Sequence, residues 1–230
     1  NDAAKFSRTM SGKDCVVAWA AAPDYEAEAA DANGDGTYEL TISFTDGTNV
    51  LGAQATSITL ADTNDQTPTY ASADNTPTVA EGTTAVETVA ITDTDDDDAN
   101  ACALAGADAA LFTCTVSATE YSLAFENAPD YDSGSACAAG NSCAVTVTIS
   151  DGVNTGATIA YTIALSDTND QTPAVTVNAN YATDEETTVF QTFTIVDSDT
   201  TGTYDCTLGG NDAAKFSRTM SGKDCVVAWA

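Results

Sequence analysis

The sequence predicts an all-β chain built from consecutive β-sandwich domains. Stretches of alternating polar and apolar residues recur along its 230 residues, and none of them has a helical period of any length. The heptapeptide Asp-Thr-Asn-Asp-Gln-Thr-Pro occurs at residues 62–68 and again at residues 167–173. The copies lie 105 residues apart, a spacing that suits one β-sandwich domain.

The interval between the two heptapeptides contains a series of predicted strands. They are Val86–Thr92, Thr113–Val116, Tyr121–Phe125, Ala144–Ser150 and Thr158–Leu165. Each heptapeptide follows what we predict to be the last strand of a domain, Thr56–Leu60 before the first copy and Tyr161–Leu165 before the second. Turn-forming residues separate the strands. We therefore expect a complete domain at residues 66–170.

A larger repeat indicates the domain organisation. Residues 1–20 are identical to residues 211–230, an offset of 210 residues and so twice 105. We expect residues 1–65 to be the C-terminal part of one domain and residues 171–230 to be the N-terminal part of the next. We also expect the sequence to be a window on a protein that repeats a 210-residue unit many times. Residues 171–210 of one window would then complete residues 1–65 of the next.

The charge of the chain restricts its partners. The chain has 35 acidic and 6 basic residues, no histidine and a net charge of −29. A nucleic-acid partner requires a basic face, so this class is excluded. Self-repulsion of this size opposes compaction unless counterions are bound, and divalent cations would relieve it. Disorder is the alternative, but the hydrophobic content of 43% and the recurring alternation argue against it.

The cysteines indicate disulfides. Seven cysteines become six per unit once the duplicate Cys15 is set aside. An even count in an acidic, threonine-rich chain favours an oxidising, extracellular setting. Zinc is a weak alternative, because the chain has no histidine and no Cys-x-x-Cys pair. No apolar run approaches membrane-spanning length, so we expect no membrane span in this segment.

Acidic residues recur at matching positions of the two domains. When residues 171–230 are joined to residues 21–65, they align with residues 66–170 almost residue by residue. The matched acids are Glu81 with Glu185, Asp93 and Asp95 with Asp197 and Asp199, Asp130 and Asp132 with Asp24 and Glu26, and Asp151 with Asp46. Each heptapeptide adds three oxygen-bearing side chains within four residues, which suit a hard cation. A solvated acidic turn is the alternative interpretation. The presence of a second identical heptapeptide favours a cation site.

In this arrangement the acids resemble the calcium-binding residues of cadherin repeats, in the diverged form found in long bacterial surface proteins. The resemblance covers essentially the whole chain. It implies tandem Greek-key β-sandwiches, of the cadherin or immunoglobulin type, joined end to end by calcium-binding linkers into a rod. In that family one domain supplies an early Glu, an Asp-x-Glu pair and an Asp-x-Asn-Asp linker. The next domain supplies an Asp-x-Asp pair and an Asp before a late turn.

The resemblance therefore implies Ca²⁺ ligands at two junctions. Near residue 65 they are Asp24, Glu26, Asp62, Asn64 and Asp65, with Asp93, Asp95 and Asp151 across the junction. After residue 170 they are Glu81, Asp130, Asp132, Asp167, Asn169 and Asp170, with Asp197 and Asp199 from the following domain. Glu185 and Asp46 take the early and late roles in the split domain. Ca²⁺ takes six to eight oxygens, so each set could hold about two or three ions, whereas Mg²⁺ prefers octahedral sites with retained water.

Three positions depart from the family pattern. Asp132 stands where the family usually has Glu, which shortens the reach of that ligand. Asn100 is a further candidate ligand, but the matching position of the other domain, its sibling position, holds Tyr204. The Asp31–Gly36 loop imitates the start of an EF-hand, yet Ile42 stands where the closing Glu would be. An extra loop site and a plain turn are equally good interpretations of that loop.

The same alignment suggests disulfide pairs. Cys102 and Cys206 occupy sibling positions, whereas Cys225 matches Tyr121. We favour Cys206–Cys225, Cys102–Cys114 and Cys137–Cys143, with Cys15 left without an intrachain partner. Four cysteines in one domain allow three connectivities, which the sequence leaves open.

The sequence disfavours an enzyme. It has no histidine, no nucleophile elbow and no phosphate loop, and calcium explains the carboxylates better than acid–base catalysis does. We expect a structural repeat of a calcium-stiffened, disulfide-stapled extracellular filament or surface stalk, whose partners are copies of itself placed end to end. The alternative is a calcium-dependent adhesion module, either homophilic or carbohydrate-binding. Identical repetition favours the stalk, because a stalk needs length and an adhesin needs one specialised tip.

Overall fold

The computed structural model describes residues 2–26, 37–95, 99–134, 136–178 and 180–230. Within them the strands are β1 (Phe6–Ser11), β2 (Asp14–Trp19), β3 (Thr37–Thr45), β4 (Val50–Thr59), β5 (Thr69–Tyr70), β6 (Thr78–Ala80), β7 (Ala85–Thr92), β8 (Ala101–Ala105), β9 (Phe112–Val116), β10 (Glu120–Phe125), β11 (Ser142–Ser150), β12 (Ile159–Ser166), β13 (Ala174–Val175), β14 (Val189–Val196), β15 (Phe216–Ser221) and β16 (Asp224–Trp229). Short 3₁₀ helices at Asp2–Lys5, Ala109–Leu111 and Ala213–Lys215 precede β1, β9 and β15. In this part of the chain no helix has the length and apolar character needed to cross a membrane.

Two four-stranded sheets form a sandwich between the two heptapeptides. Their strand orders are β5-β7-β10-β9 and β6-β12-β11-β8. Neighbouring strands are antiparallel, except that β6 runs parallel to β12. The predicted all-β sandwich class is confirmed. The alternating stretches predicted as strands correspond to β7, β9, β10, β11 and β12, with ends that differ by one or two residues.

Three strands of this sandwich escaped the sequence prediction. The strand β8 has the sequence Ala-Cys-Ala-Leu-Ala, and alanine is depleted in strands, so its pattern is weak. The strands β5 and β6 contain only 2 and 3 residues. Both are too short for an alternating pattern to be visible.

The core of the sandwich includes alternate residues of β11 and β12, packed against buried residues of the opposite sheet such as Tyr121 and Leu123. Val147, Ile149 and Ile163 are fully buried, and Val145 and Tyr161 are 1% exposed. Successive side chains of a strand point to opposite faces, so the residues between them lie on the outer face.

A buried polar network crosses this core. The hydroxyl of Tyr161 donates a hydrogen bond to Glu87 Oε2 at 2.6 Å, and the hydroxyls of Tyr161 and Tyr121 lie 2.9 Å apart. The hydroxyl of Ser72 donates to the same oxygen of Glu87 at 2.7 Å. Burial raises the pKa of Glu87, but the hydrogen bonds from Ser72 and Tyr161 outweigh it and leave the pKa below its usual value. The network therefore holds a charged carboxylate between the two sheets.

The remaining described strands form three further sheets. Residues 2–65 contribute two separate pairs, β1-β2 and β3-β4, and residues 171–230 contribute one sheet with the order β13-β14-β16-β15. This order repeats β5-β7-β10-β9, as the sibling alignment requires. Residues 205–209 correspond to β8 but form no strand. The strand β8 pairs with β11, and the sibling of β11 is β3, far away in the sequence.

A backbone feature supports the sibling alignment. Gly82 follows Glu81 with φ = 74°, and Glu186 follows Glu185 with φ = 68°. The left-handed region is unfavourable for a non-glycine residue, so its use at Glu186 indicates a turn that both domains share.

Three disulfides cross-link the sheets and loops. Cys102–Cys114 joins β8 to β9 and thereby connects the two sheets, with Cα atoms 6.2 Å apart. Cys206–Cys225 has a Cα separation of 6.3 Å, and Cys137–Cys143 closes a short loop before β11. Cys15 is free. These are the pairs that the alignment favoured.

We expect Ile163→Ala to lower the free energy of unfolding of the sandwich by about 3 kcal/mol, because it leaves a cavity in a fully buried position. Native-state hydrogen exchange at the amide of Val147, in the central strand β11, measures this change. Val153→Ala is the matched control, since Val153 is 70% exposed and should change the value by less than about 0.5 kcal/mol. Equal effects of the two substitutions would contradict the assignment of this core.

Candidate metal centres

Carboxylates from separate segments meet beside the second heptapeptide. The parallel pairing of β6 and β12 places Ala80 opposite Ser166, so Glu81 and Asp167 leave the sheet at the same edge. One carboxylate oxygen from each of Glu81, Asp132 and Asp167 lies within 4.8 Å of the others. Oxygens of Asp132, Asp170 and Asp199 form a second group of the same size. Asp132 belongs to both groups and connects them.

Backbone amides fix the orientation of these carboxylates. Glu81 accepts hydrogen bonds from the amides of Tyr131 and Thr168, each at 2.7 Å. Asp167 accepts hydrogen bonds from the amide and the hydroxyl of Thr200, beyond the linker. The second heptapeptide, which forms the linker, is therefore hydrogen-bonded both to the sandwich before it and to the segment after it.

The first heptapeptide has the same arrangement. Oxygens of Glu26, Asp65 and Asp95 lie within 4.8 Å of one another. The amide of Gln66 donates to Asp95 Oδ2 at 2.9 Å, as the amide of Gln171 donates to Asp199 Oδ2 at 3.0 Å. Two identical heptapeptides thus bind the Asp-x-Asp segment that follows them in the same way.

The turn between β11 and β12 reaches the first heptapeptide. The side-chain amide of Asn154 donates to Asn64 Oδ1 at 3.1 Å. Asp151 holds this turn by accepting hydrogen bonds from the amides of Val153 and Asn154 at 2.7 and 2.6 Å. Burial raises the pKa of Asp151, but these amides outweigh it and leave the pKa below its ordinary value.

Several buried oxygens at the two junctions have no hydrogen-bond partner. Among the described residues they are Glu26 Oε1, Asp93 Oδ2, Asp95 Oδ1, both Oδ atoms of Asp132, Asp151 Oδ2, Asp167 Oδ1 and Asp199 Oδ1. Outside the predicted ligand set, the amide oxygens of Asn100 and Asn141 share this property. A buried carboxylate oxygen without a partner is costly, and a bound cation removes that cost. The donor set, all oxygen, fits Ca²⁺.

The pKa values of the clustered carboxylates reflect both burial and the charges of their neighbours. Burial, together with the charges of Asp199, Glu81 and Asp167, raises the pKa of Asp132 to about 6. Burial and the charges of Asp93, Asp62 and Asp65 raise the pKa of Asp95, against a lowering hydrogen bond from the Gln66 amide. The pKa of Asp167 moves in the opposite direction, because the hydrogen bonds that it accepts from Thr200 lower it. The carboxylate shared by two clusters is therefore one whose charged form is opposed both by burial and by neighbouring acids.

The other predicted ligands lie outside these three clusters. Asp24, Asp130, Asn169 and Glu185 are exposed. Asp130 accepts a hydrogen bond from the amide of Ser133, and Asp197 accepts one from the amide of Asp199. The predicted Asp31–Gly36 loop lies outside the described residues.

Asp46 has a local role. It accepts hydrogen bonds from the amides of Asn49 and Thr48, which lower its pKa to about 2. Its sibling Asp151 makes the same turn but is buried against the first linker, whereas Asp46 is exposed.

Sequence reasoning missed the donors that position the acids. Gln66, Gln171 and Thr200 supply amides or a hydroxyl to Asp95, Asp199 and Asp167. The donors at Gln66 and Gln171 are backbone amides, whose direction depends on the path of the chain and is not reported by side-chain identity.

No family model and no curated protein matches the chain. Solved structures do. The chain is 18% identical to PcdhgB3 EC1-4, with a TM-score of 0.64, over 98% of this chain and 55% of that chain. For human CDH23 EC21-23 the identity is 20% and the TM-score 0.58, over 85% of this chain and 64% of that chain. For protocadherin gammaB7 EC3-6, a cis-dimer structure, the identity is 16% and the TM-score 0.57, over 99% of this chain and 54% of that chain.

The chain has a cadherin-like fold. It spans about half to two thirds of the length of these three solved chains. The resemblance first seen in the acids is thus confirmed at the level of the fold. In this cadherin-like arrangement the three carboxylate clusters lie beside the two heptapeptides.

We expect the metal-free chain to become more stable when the pH falls from 7 to 5. The pKa of Asp132 is about 6 in the folded chain and 3.8 in its ordinary state, so the folded chain binds more protons in this interval. Asp151 and Asp167, whose pKa values are lowered, lose their contribution only at more acidic pH. Thermal melts in EGTA at pH 7, 6 and 5 measure the change.

Asp132→Asn is the critical variant for this pH series. It removes the titrating group, so its midpoint should change less with pH than that of the natural chain. A natural chain whose midpoint falls on acidification to pH 5 would contradict the proposed repulsion at the junction.

Proposed function

We propose that this chain is a structural repeat of a calcium-stiffened, disulfide-stapled extracellular filament or surface stalk. The observation that carries the proposal is that two carboxylate clusters combine residues from both sides of a linker. They are Glu26 and Asp65 with Asp95, and Asp132 and Asp170 with Asp199. A cation held there would tie consecutive domains together.

Calcium suits these sites better than the other common divalent cations. The candidate ligands are carboxylate and amide oxygens, with neither the imidazole nor the thiolate that zinc prefers. The buried oxygens without partners exceed the few protein ligands that Mg²⁺ usually takes. Asp132 belongs to two clusters, which suits a carboxylate that bridges neighbouring ions.

Stiffening follows from the charge. The chain has a net charge of −29, and without metal the carboxylates on the two sides of each linker repel one another. The linkers can relieve this repulsion by bending. Bound Ca²⁺ replaces the repulsion with attraction to both domains. The three disulfides support an oxidising, extracellular setting for such a repeat.

Adhesion is the second candidate. One of the similar solved structures is a cis-dimer of protocadherin gammaB7 EC3-6. A protein with a cadherin-like fold can therefore form lateral dimers as well as extended chains. For this chain, sedimentation of the calcium-bound form distinguishes the two. Lateral dimers at micromolar concentration would favour adhesion, and their absence would favour the stalk.

We expect calcium to raise the melting temperature relative to EGTA. A ligand that binds only the folded state stabilises it by about 2.7 kcal/mol when its concentration is 100-fold above the dissociation constant. Asp132→Asn should lose much of this gain, because Asp132 serves two clusters. Glu120→Gln is the matched control, since it removes the same charge from an exposed position in the same domain. An unchanged midpoint of the natural chain would remove calcium from the proposal.

We also expect calcium to lengthen the chain in solution. Small-angle X-ray scattering should give a larger maximum dimension in calcium than in EGTA, because repulsion in the metal-free linkers allows bent arrangements. Asp199→Asn should shift the calcium curve toward the EGTA curve. Identical curves for the natural chain, together with a calcium-dependent melt, would leave calcium binding intact and contradict stiffening.

A further inference from the structure

The turn that joins β15 to β16 carries a charge that its sibling turn lacks. The carbonyl of Thr119, between β9 and β10, accepts the amide of Ile91, and the carbonyl of Lys223 accepts the amide of Ile195, both at 2.8 Å. Thr119 and Lys223 are therefore structural equivalents. The sequence has no lysine or arginine from residue 14 to residue 214, so the domain that follows the first heptapeptide contains neither.

The ammonium of Lys223 lies beside the Asp-x-Asp segment of the second junction, the one formed around residues 167–173. Its Nζ donates a hydrogen bond to the carbonyl oxygen of Asp197 at 2.8 Å, and this contact is partly buried. Asp197 in turn accepts the amide of Asp199, whose carboxylate forms a cluster with those of Asp132 and Asp170. The positive charge is therefore held at the segment that supplies this cluster.

Tyr204 helps to hold the ammonium in place. The Nζ atom of Lys223 lies 5.2 Å from the centroid of the Tyr204 ring, which is within the range of a cation–π contact. The hydroxyl of Tyr204 lies 3.5 Å from the carbonyl oxygen of Asp199. Tyr204 therefore contacts both the ammonium and the acidic segment, so Lys223 is more restricted than a freely solvated lysine.

The first junction, around residues 62–68, has a different arrangement at the same place. Asn100, the sibling of Tyr204, donates its side-chain amide to the carbonyls of Ser117 and Ala118 at 3.4 and 3.3 Å. Its Oδ1 is buried without a hydrogen-bond partner, and so is Oδ2 of Asp93. Buried oxygens of this kind require a cation from the solvent.

We infer that Lys223 is a built-in counter-ion of the second junction, which neutralises part of its carboxylate charge and lowers its affinity for Ca²⁺. The inference rests on the proposed calcium sites and adds a residue that tunes one of them. A fixed positive charge stabilises the metal-free carboxylates and repels a divalent cation, so both effects reduce the gain from binding. In a protein that repeats the 210-residue unit, junctions with and without this charge alternate.

The expected effect is large enough to measure. Repulsion between a single and a double positive charge about 8 Å apart, in a dielectric of about 80, corresponds to about a 5-fold change in affinity at low ionic strength. Partial burial of the Lys223 contact increases the effect, because solvent screens the charges less.

Two backbone amides report the two junctions separately. The amide of Gln66 donates to Asp95, and the amide of Gln171 donates to Asp199. A calcium titration of the full chain, followed by the NMR signals of these amides, gives one midpoint for each junction. Lys223→Gln should lower the calcium midpoint at Gln171 about 5-fold and leave the midpoint at Gln66 unchanged. Added sodium chloride should reduce the difference, because it screens the charge.

Three variants isolate the charge. Lys223→Arg keeps it and should retain the natural midpoint at Gln171. Lys215→Gln removes an exposed ammonium of the same segment, which is paired with Asp212, and should leave both midpoints unchanged. Thr119→Lys places an ammonium at the equivalent turn and should raise the midpoint at Gln66.

Thermal melts separate this role from a merely structural one. Lys223→Gln should lower the melting temperature more in EGTA than in saturating calcium, because the bound ion replaces the neutralising charge in the second case. A lysine that only stabilises its own turn would lower both melting temperatures equally.

The outcomes distinguish this inference from the proposed function. Equal midpoints at Gln171 in the natural chain and in Lys223→Gln would overturn the counter-ion and leave calcium binding intact. A Lys223→Gln shift of the same size at Gln66 and Gln171 would also overturn it, since it would report only the total charge of the chain. If neither amide of the natural chain responded to calcium, the proposed function would fail, and the counter-ion with it.

Discussion

Mutual repulsion of the carboxylates clustered beside the two heptapeptides is the constraint on which the proposed junctions depend. The sheets follow from ordinary strand alternation, but the strand ends carry acids that the fold brings within 4.8 Å of one another. At Asp132, burial and the charges of Asp199, Glu81 and Asp167 raise the pKa to about 6, and both carboxylate oxygens are buried without a hydrogen-bond partner. A divalent cation reverses the sign of this interaction, so the same residues that weaken a metal-free junction would fix a metal-bound one.

The fold prepares this junction before any ion binds. Parallel pairing of β6 with β12 places Glu81 beside the outgoing linker, where Glu81 accepts the amide of Thr168. The linker is also hydrogen-bonded to the residues after it. Asp167 accepts a hydrogen bond from the amide of Thr200, and the amide of Gln171 donates one to Asp199. These bonds restrict the carboxylates to a few orientations. Binding would therefore lose less conformational freedom than it would in a flexible acidic loop.

The sequence predicted the strands that carry the core and the acids that meet at the linkers, because both signals are periodic or repeated. Val147 and Ile163 stand out by alternation, and Asp132 and Asp199 stand out by matching their siblings Glu26 and Asp95. Prediction was weaker where side-chain direction decides the outcome. Asp130 lies two residues from Asp132 yet remains exposed. Linear spacing places a residue on a turn, but only the path of the backbone determines which carboxylate turns inward.

Residues 205–209 show why local pattern has a limit in this chain. They correspond to β8 and contain Cys206 and Leu208 at the positions of Cys102 and Leu104, yet they form no strand. The difference lies in the partner, because β8 pairs with β11 whereas the sibling of β11 lies at the other end of the chain. A strand's backbone groups need a neighbour at each position, and a pattern alone cannot supply one.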